Sequence, residues 1–548
     1  MNNKIKNILL SGTLASSLFM INSCQSDITQ LNEDPKHPSV VPSSNLLATG
    51  LYQAFYYMYT GSVNFNNYRF FTQQWTETTY TEETNYNLIT RAQPRSHFNR
   101  MYVYALNSLN QAMKNLPAEL NADDGIVNNK WATLEISSIF VWENIVDTYG
   151  NVPYSQALQA ETIKSPKYDD AKSIYLDLIK RLDIAISKIN TAKKSYDTAD
   201  LVYKGDMSKW KKLANSIKLR LAINLADVDP ATSKSVAEAA IAAGVIDSEA
   251  SSFSLTFDGG TFSNPLFDDL VASSRNDFIP SSVLVTPMNT NSDPRRHGML
   301  FENISPAKVS SVTSNVITFS SNIPSWVTVG SKVYLYADDT TATSFIGNVI
   351  SSTSTTITLD NMSMAVNAEN LLTFDYYKGG TYGSQNSYTS NSHINPAYKR
   401  ANAPAKLFGF TEVQFLKAEA AARGYNAGGT ASLFFSSAIQ SSMSEHEVSS
   451  TDAAAYIAAH PLDAANWKKS IGYESWIAMW NNPFSAWNFV RRLDYPALQT
   501  PPNSQIGGVP YRMLYSDQEY VVNFDNVSAA AAAIGGDKAT TKLFWDKF

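Results

Sequence analysis

Three stretches of this chain carry side chains suited to holding a polyhydroxylated ligand. From Phe65 to Arg95, aromatic residues alternate with amides and threonines, and Trp75, Tyr80, Asn85 and Tyr86 are the candidates there. A flat apolar ring beside a hydrogen-bonding amide can hold the CH face and the hydroxyls of a sugar together. Arg275-Asn276-Asp277 adds donors and acceptors from a second loop, and Tyr382, Asn386 and Tyr388 come from a third, rich in Gly, Ser, Tyr and Asn. Any one ring taken singly reads first as packing its loop onto the body, and only the cluster weighs evenly toward a ligand surface. Bond-breaking chemistry finds less support. Gly-x-Ser-x-Gly, His-Glu-x-x-His and Gly-x4-Gly-Lys are all missing. The histidines are scattered, and Glu445-His446-Glu447 lacks a second histidine at helical spacing, so no metal site and no cofactor are expected. Asp123-Asp124-Gly125 reads as a turn, because the calcium-loop ligand pattern does not follow it. A glycosidase-like carboxylate pair requires only proximity in space, which sequence does not specify.

A different chemistry attaches to Cys24, the only cysteine in 548 residues. It follows Lys4, Lys6 and an apolar run from about Ile8 to Met20, so 1–23 reads as a secretory signal peptide. Ile21-Asn22-Ser23-Cys24 resembles a bacterial lipobox, in which the thiol is acylated (palmitate among its acyl chains) and becomes the mature N-terminus. Gln25, next in line, is not the acidic residue associated with inner-membrane retention. Residues 24–42, punctuated by Pro35, Pro38 and Pro42, read as a lipidated tether. Extended at about 3.1 Å per residue, it would span roughly 50 Å. With no second thiol, an intramolecular disulfide is impossible.

These residues must be positioned by a large body over 43–548. The whole chain is 44% hydrophobic and 12% aromatic, with a net charge of −6 that argues against nucleic-acid binding. No apolar run after the signal is long enough to span a bilayer. Apolar residues recur at three and four over about Ser44–Tyr57, Val103–Leu116, Asn128–Tyr149, a helix capped by Asp169, Trp210–Leu225, Ser233–Ala243, Thr411–Arg423 and Ala431–Met443. A further helix should run into about Thr76. Paired helices, each too narrow to bury its own face, imply a mainly α body of about four tetratricopeptide-like helix pairs with long binding loops. One segment differs. Val309–Phe319 is echoed by Val349–Leu359, and short Val/Ile/Thr runs predict a small β-rich insertion over 306–374. Its few rings (Trp326, Tyr334, Tyr336) favour decoration over ligand binding.

Several blocks then resemble one family. Asp147-Thr-Tyr-Gly-Asn-Val-Pro-Tyr154, Pro166-Lys-Tyr168-Asp169, Gly205-Asp206-Met-Ser-Lys-Trp210 and Ala214–Ala222 are similar to signatures of the SusD/RagB outer-membrane lipoproteins. So are Asn291–Arg295, Glu412–Gly424, Trp487–Pro496, Val509–Arg512 and Gly535–Asp537. Order and spacing agree from about Leu31 to the end. The Arg491-Arg492 pair before Tyr495-Pro496 points to the SusD-like branch. The resemblance implies a tetratricopeptide-like scaffold and a non-catalytic nutrient-binding lipoprotein on the outer face of a Bacteroidota outer membrane. It also implies a partner, a SusC-type TonB-dependent transporter that the lipoprotein caps for uptake. The ligand residues above come from composition and loop position, not from the family. Trp210, Asn215, Arg220, Arg491 and Arg492 are expected to fix packing. Beside glycan capture stand an oligopeptide binder of the same architecture, a surface glycoside hydrolase and a repeat-type assembly adaptor.

Overall fold

The computed structural model describes residues 41–119 and 123–547; the expected signal peptide, Cys24 and all but the end of the expected tether lie outside the described residues. Helix α1 (Ser43–Tyr59) is followed by a helical stretch over 93–115, wound as a π-helix at Arg100–Leu106 and ending in α2 (Asn107–Asn115). Next come α3 (Asp124–Tyr149), α4 (Ala171–Lys188), α5 (Met207–Asn224), α6 (Pro230–Ala243), α7 (Phe410–Ala422) and α8 (Ala431–Glu445). They pack as the pairs α1/α2, α3/α4, α5/α6 and α7/α8, four tetratricopeptide-like units. Then follow α9 (Ser450–Ala459), α10 (Trp467–Ala478) and α11 (Pro483–Leu493).

Local chemistry explains the starts. Asp206 accepts from the backbone N–H groups of Ser208 and Lys209, and Asp229 caps α6 ahead of Pro230, whose missing N–H costs nothing at that position. Asp123 accepts from the N–H of Gly125, so Asp123-Asp124-Gly125 is the start of α3. The cap of α4 is Asp170, one residue beyond the expected Asp169, because Asp169 sits in a strand and accepts from Tyr154 and Ser155 instead. Val103, expected on the apolar face, is 55% exposed, on the π-wound stretch.

Buried arginines lock the pairs together. Arg220 on α5 reaches Glu143 on α3 at 2.5 Å and Glu412 on α7 at 2.9 Å, with all three side chains buried. Arg492 pairs with Glu419 at 2.9 Å and donates to Asn224, while Arg491 donates to the carbonyls of Asp147 and Tyr511. The family-like blocks are therefore the wiring between helix pairs. Each bidentate contact satisfies a charge that would be costly to bury alone.

Residues 307–374 form a separate apolar core. Strands β3 (Ala307–Thr313), β4 (Val316–Phe319), β5 (Lys332–Tyr336), β6 (Ser344–Ser352), β7 (Thr356–Leu359) and β8 (Leu371–Phe374) close into a barrel in the order β6-β7-β4-β3-β8-β5. Alternation puts Val309, Ile317, Val333, Ile357 and Leu372 inside. Ala307 lies opposite Leu372, so the barrel enters and leaves the body at adjacent positions. Earlier strands β1 (Trp75–Glu77) and β2 (Phe278–Pro280) pair antiparallel in the body. The helix expected to reach Thr76 is only Tyr68–Phe71, because the chain then turns at Gln73 and enters β1.

Candidate functional site

The three loops singled out in the sequence meet on one surface. The β1/β2 pair sets Trp75 opposite Pro280 and Glu77 opposite Phe278, and this ladder runs on into the loops. The Thr78 amide donates to the Asp277 carbonyl at 2.8 Å, and its hydroxyl to the Asn276 carbonyl at 2.7 Å. The third loop is stitched in by amides. Asn386 donates to the Glu77 carbonyl at 2.8 Å and accepts from the Thr381 amide at 2.7 Å. Asn85 donates to the Thr81 and Gly383 carbonyls. Gly380 is required at the junction, since a Cβ there would stand 2.6 Å from Ile279 and 2.8 Å from both Thr76 and Asn386.

The side chains divide sharply between surface and core. Tyr80 is 61% exposed at a positive φ, with the Arg91 guanidinium 5.9 Å from its ring centre. Arg275 and Asn276 are exposed, and Arg275 is held by Asp277, which is half-buried. Tyr388 is half-buried and stacks on His393 at 3.7 Å. The barrel reaches the same place, with Asp339 accepting from Tyr336 and standing 3.7 Å from His393.

The remaining expected contacts need correction. Trp75 is 1% exposed, packed under the Arg69 guanidinium and against Phe278 and Trp480, so no ring face is left for a ligand. Tyr86 is fully buried and accepts from Gln73, and Tyr382 is buried and donates to the Phe70 carbonyl. Asn85 is buried with its amide group spent on the loop crossing. Asn386 is half-buried and acts as a strut. The physical reason is common to all of these: loops crossing over an irregular core need rings to fill it and amides to satisfy backbone carbonyls.

The sequence reading missed what lies beneath Tyr80. Glu77 and Glu83, both buried, lie close enough to influence each other's protonation. Glu77 also accepts from the Thr84 amide and hydroxyl, and Glu83 from Arg91 and Gln93. Burial, and then the neighbouring Glu83, pushes the Glu77 carboxyl well above the usual carboxylate range, and burial also raises Glu83. Two neighbouring buried carboxyls cannot both ionise cheaply, so the pair retains a proton to higher pH than an exposed carboxyl would. Nothing in Thr-Glu-Thr-Thr-Tyr-Thr-Glu-Glu marks this pair, because it exists only after the loop closes. Both carboxyls are buried within the loop, unlike a glycosidase pair, which stands about 5 to 9.5 Å apart astride an open cleft. Among the described residues, no group of three or more His, Cys, Asp or Glu side chains could hold a metal ion. None of the described helices is long and apolar enough to cross a membrane.

Fold and surface together define a helical-repeat scaffold that carries a face built from three loops. A family model matches residues 35–314 and 361–516, and the chain belongs to that family, SusD-like, described as starch-binding and associating with the outer membrane. The unmatched segment between those ranges falls within the barrel. Comparison with curated proteins returns no match. Among solved structures, one described as a chitin-binding protein is 25% identical with a TM-score of 0.71, covering 92% of this chain and 100% of its own. A SusD-like protein from Bacteroides thetaiotaomicron is 22% identical with a TM-score of 0.68, covering 92% of this chain and 99% of its own. A chitin-binding SusD homologue from Flavobacterium johnsoniae is 21% identical with a TM-score of 0.66, covering 91% of this chain and 98% of its own. These two are similar in fold.

Proposed function

We propose that this chain is a surface nutrient-binding lipoprotein that captures a glycan, without cleaving it, on the face built by its three loops. The observation that carries the reading is the convergence of an exposed tyrosine, a half-exposed stacked tyrosine and the Arg275-Asn276-Asp277 turn on one surface of a SusD-like scaffold. Rings with adjacent donors and acceptors suit saccharides. The 25% identical relative described as chitin-binding supports a β-linked amino-sugar polymer as the first ligand class to test, and the family description supports starch. Acylation at Cys24 would hold the protein on the outer leaflet of the outer membrane, where it would cap a SusC-type TonB-dependent transporter and pass the glycan inward.

A glycan array, with an oligopeptide library beside it, tests the ligand class. Glycan binding that Tyr80→Ala and Tyr388→Ala each weaken by about tenfold is the expected result. Binding to peptides alone would replace the glycan with an oligopeptide, and release of shortened sugars would make the chain an enzyme. Co-purification of a large β-barrel with the lipidated protein tests the partner.

A further inference from the structure

A cleft of about 410 Å³ opens between the barrel and the body, and it shares no residue with the three-loop face. Its volume is within the range of about 300 to 1,000 Å³ typical of small-molecule sites. Strand β5 and the residues just after β8 form one wall, the turn at 291–297 a second, and α9 the third. Lys332 and Tyr334 lie in the segment that the family model does not match, so the cleft comes with the insertion. On the α9 wall the exposed Ala455 and Ala459 present only methyl groups, and nothing bulky closes that side.

The charges in the lining do not all cancel. Lys332 and Asp452 face each other at 3.4 Å, and Asp293 is buried against Arg295 at 2.6 Å. Arg296 and Asp375 are left over. Both are half-buried, and among the described residues neither forms an ion pair. Arg296 donates through Nε to the Asp293 carbonyl and through one terminal nitrogen to Asn289, which fixes the guanidinium and leaves its other terminal nitrogen unspent. The Tyr377 ring steadies it further, with its centre 5.3 Å away. Asp375 accepts from the Lys332 amide at 2.9 Å on one oxygen, and its second oxygen is unspent. Burial raises the Asp375 carboxyl above its ordinary value, against the pull of the Lys332 amide and the Arg296 guanidinium. Such a carboxyl gains from an arriving ammonium, and an unspent guanidinium nitrogen gains from an arriving carboxylate.

We infer that this cleft is a second binding site, for a small zwitterion of the α-amino acid kind, with its carboxylate on Arg296 and its ammonium on Asp375. Opposite charges fixed in one cleft without neutralising each other select a ligand that carries both. A neutral sugar carries neither, so the site goes beyond the glycan reading and does not rest on it.

Ligand-observed NMR titration of the full chain in detergent tests the site, with L-alanine and dialanine as ligands. N-acetylalanine, which lacks the ammonium, and alaninamide, which lacks the carboxylate, are the controls. Alanine or dialanine is expected to bind at least about tenfold tighter than either control. Ala455→Trp fills the cleft from an exposed helix position and should weaken that binding by about tenfold or more. Asp375→Asn keeps an acceptor for the Lys332 amide and should erase the preference for alanine over N-acetylalanine. Arg296→Gln should erase the preference over alaninamide, whereas a purely structural role for either residue would alter stability and leave the preferences in place. Tyr80→Ala should leave alanine binding unchanged. Controls that bind as well as alanine, zwitterion binding that Ala455→Trp and both charge variants leave unaltered, or no binding of any of the four ligands overturns the inference. The glycan reading would survive each of these outcomes, because it stands or falls on glycan binding by the Tyr80 and Tyr388 variants.

Discussion

Individual side chains here separate display from support. Tyr80 and Tyr388 offer ring surface, whereas Trp75 is enclosed between Arg69 and Trp480. Trp75→Ala should therefore cost about 3 to 5 kcal/mol of stability, read in a denaturant titration, whereas Tyr80→Ala should leave the midpoint almost unmoved and lower glycan affinity. Arg220 belongs to the supporting class. Its removal leaves Glu143 and Glu412 buried without their counter-charge, so Arg220→Leu is expected to cost about 3 to 5 kcal/mol, and chemical denaturation would show it. The roles expected of Arg220, Arg491 and Arg492 were legible because charged residues inside helical patterns must find partners. Trp75 was misjudged because a tryptophan in a polar loop looks the same in sequence whether it faces water or a guanidinium.

At the level of elements, the loop over 78–92 stands on the protonated Glu77–Glu83 pair. Unfolded, Glu77 would titrate near 4.5, and folded it titrates at about 9. The folded loop thus holds a proton that the open loop gives up between those values. Its stability is full below about pH 4.5, declines as pH rises through neutrality toward 9, and levels off above that. Hydrogen exchange of the loop amides, corrected for intrinsic rate, should show easier opening at pH 9 than at pH 5 in the wild type. Glu77→Gln is neutral throughout and should flatten that dependence. The barrel is the other element open to test. Since Ala307 and Leu372 are paired neighbours, replacing 306–374 by a short linker should leave the body folded with its loop-face affinity intact, by circular dichroism and titration. Strand alternation made the insertion's β character readable. Its closure onto the body through Thr343–Glu302 and Asp339–His393 was not, because those contacts join residues far apart in the chain.

For the whole molecule, the scaffold turns four ordinary helix pairs into a frame that presents loops from distant parts of the chain on one face. The loops at 75–86, 275–277 and 380–388 are joined by backbone pairing and by amide struts, so the face is preorganised. The proposed attachment through Cys24 belongs to this scale. Cys24→Ala is expected to shift the protein from the outer-membrane fraction to soluble fractions, measured by membrane flotation, without changing glycan affinity in vitro.

Sequence alone determined the helix-pair architecture and the candidate loops, since 3.6-residue periodicity, caps and family-like blocks are local or nearly local signals. Tertiary structure decided which of those loop residues face outward. A ring's exposure depends on what the rest of the chain lays over it, as Arg69 and Trp480 do for Trp75 and Tyr382 does for Tyr86. The buried Glu77–Glu83 pair and the arginine ties between helix pairs belong to the same class. Each is defined by neighbours that are fixed only when the chain has folded.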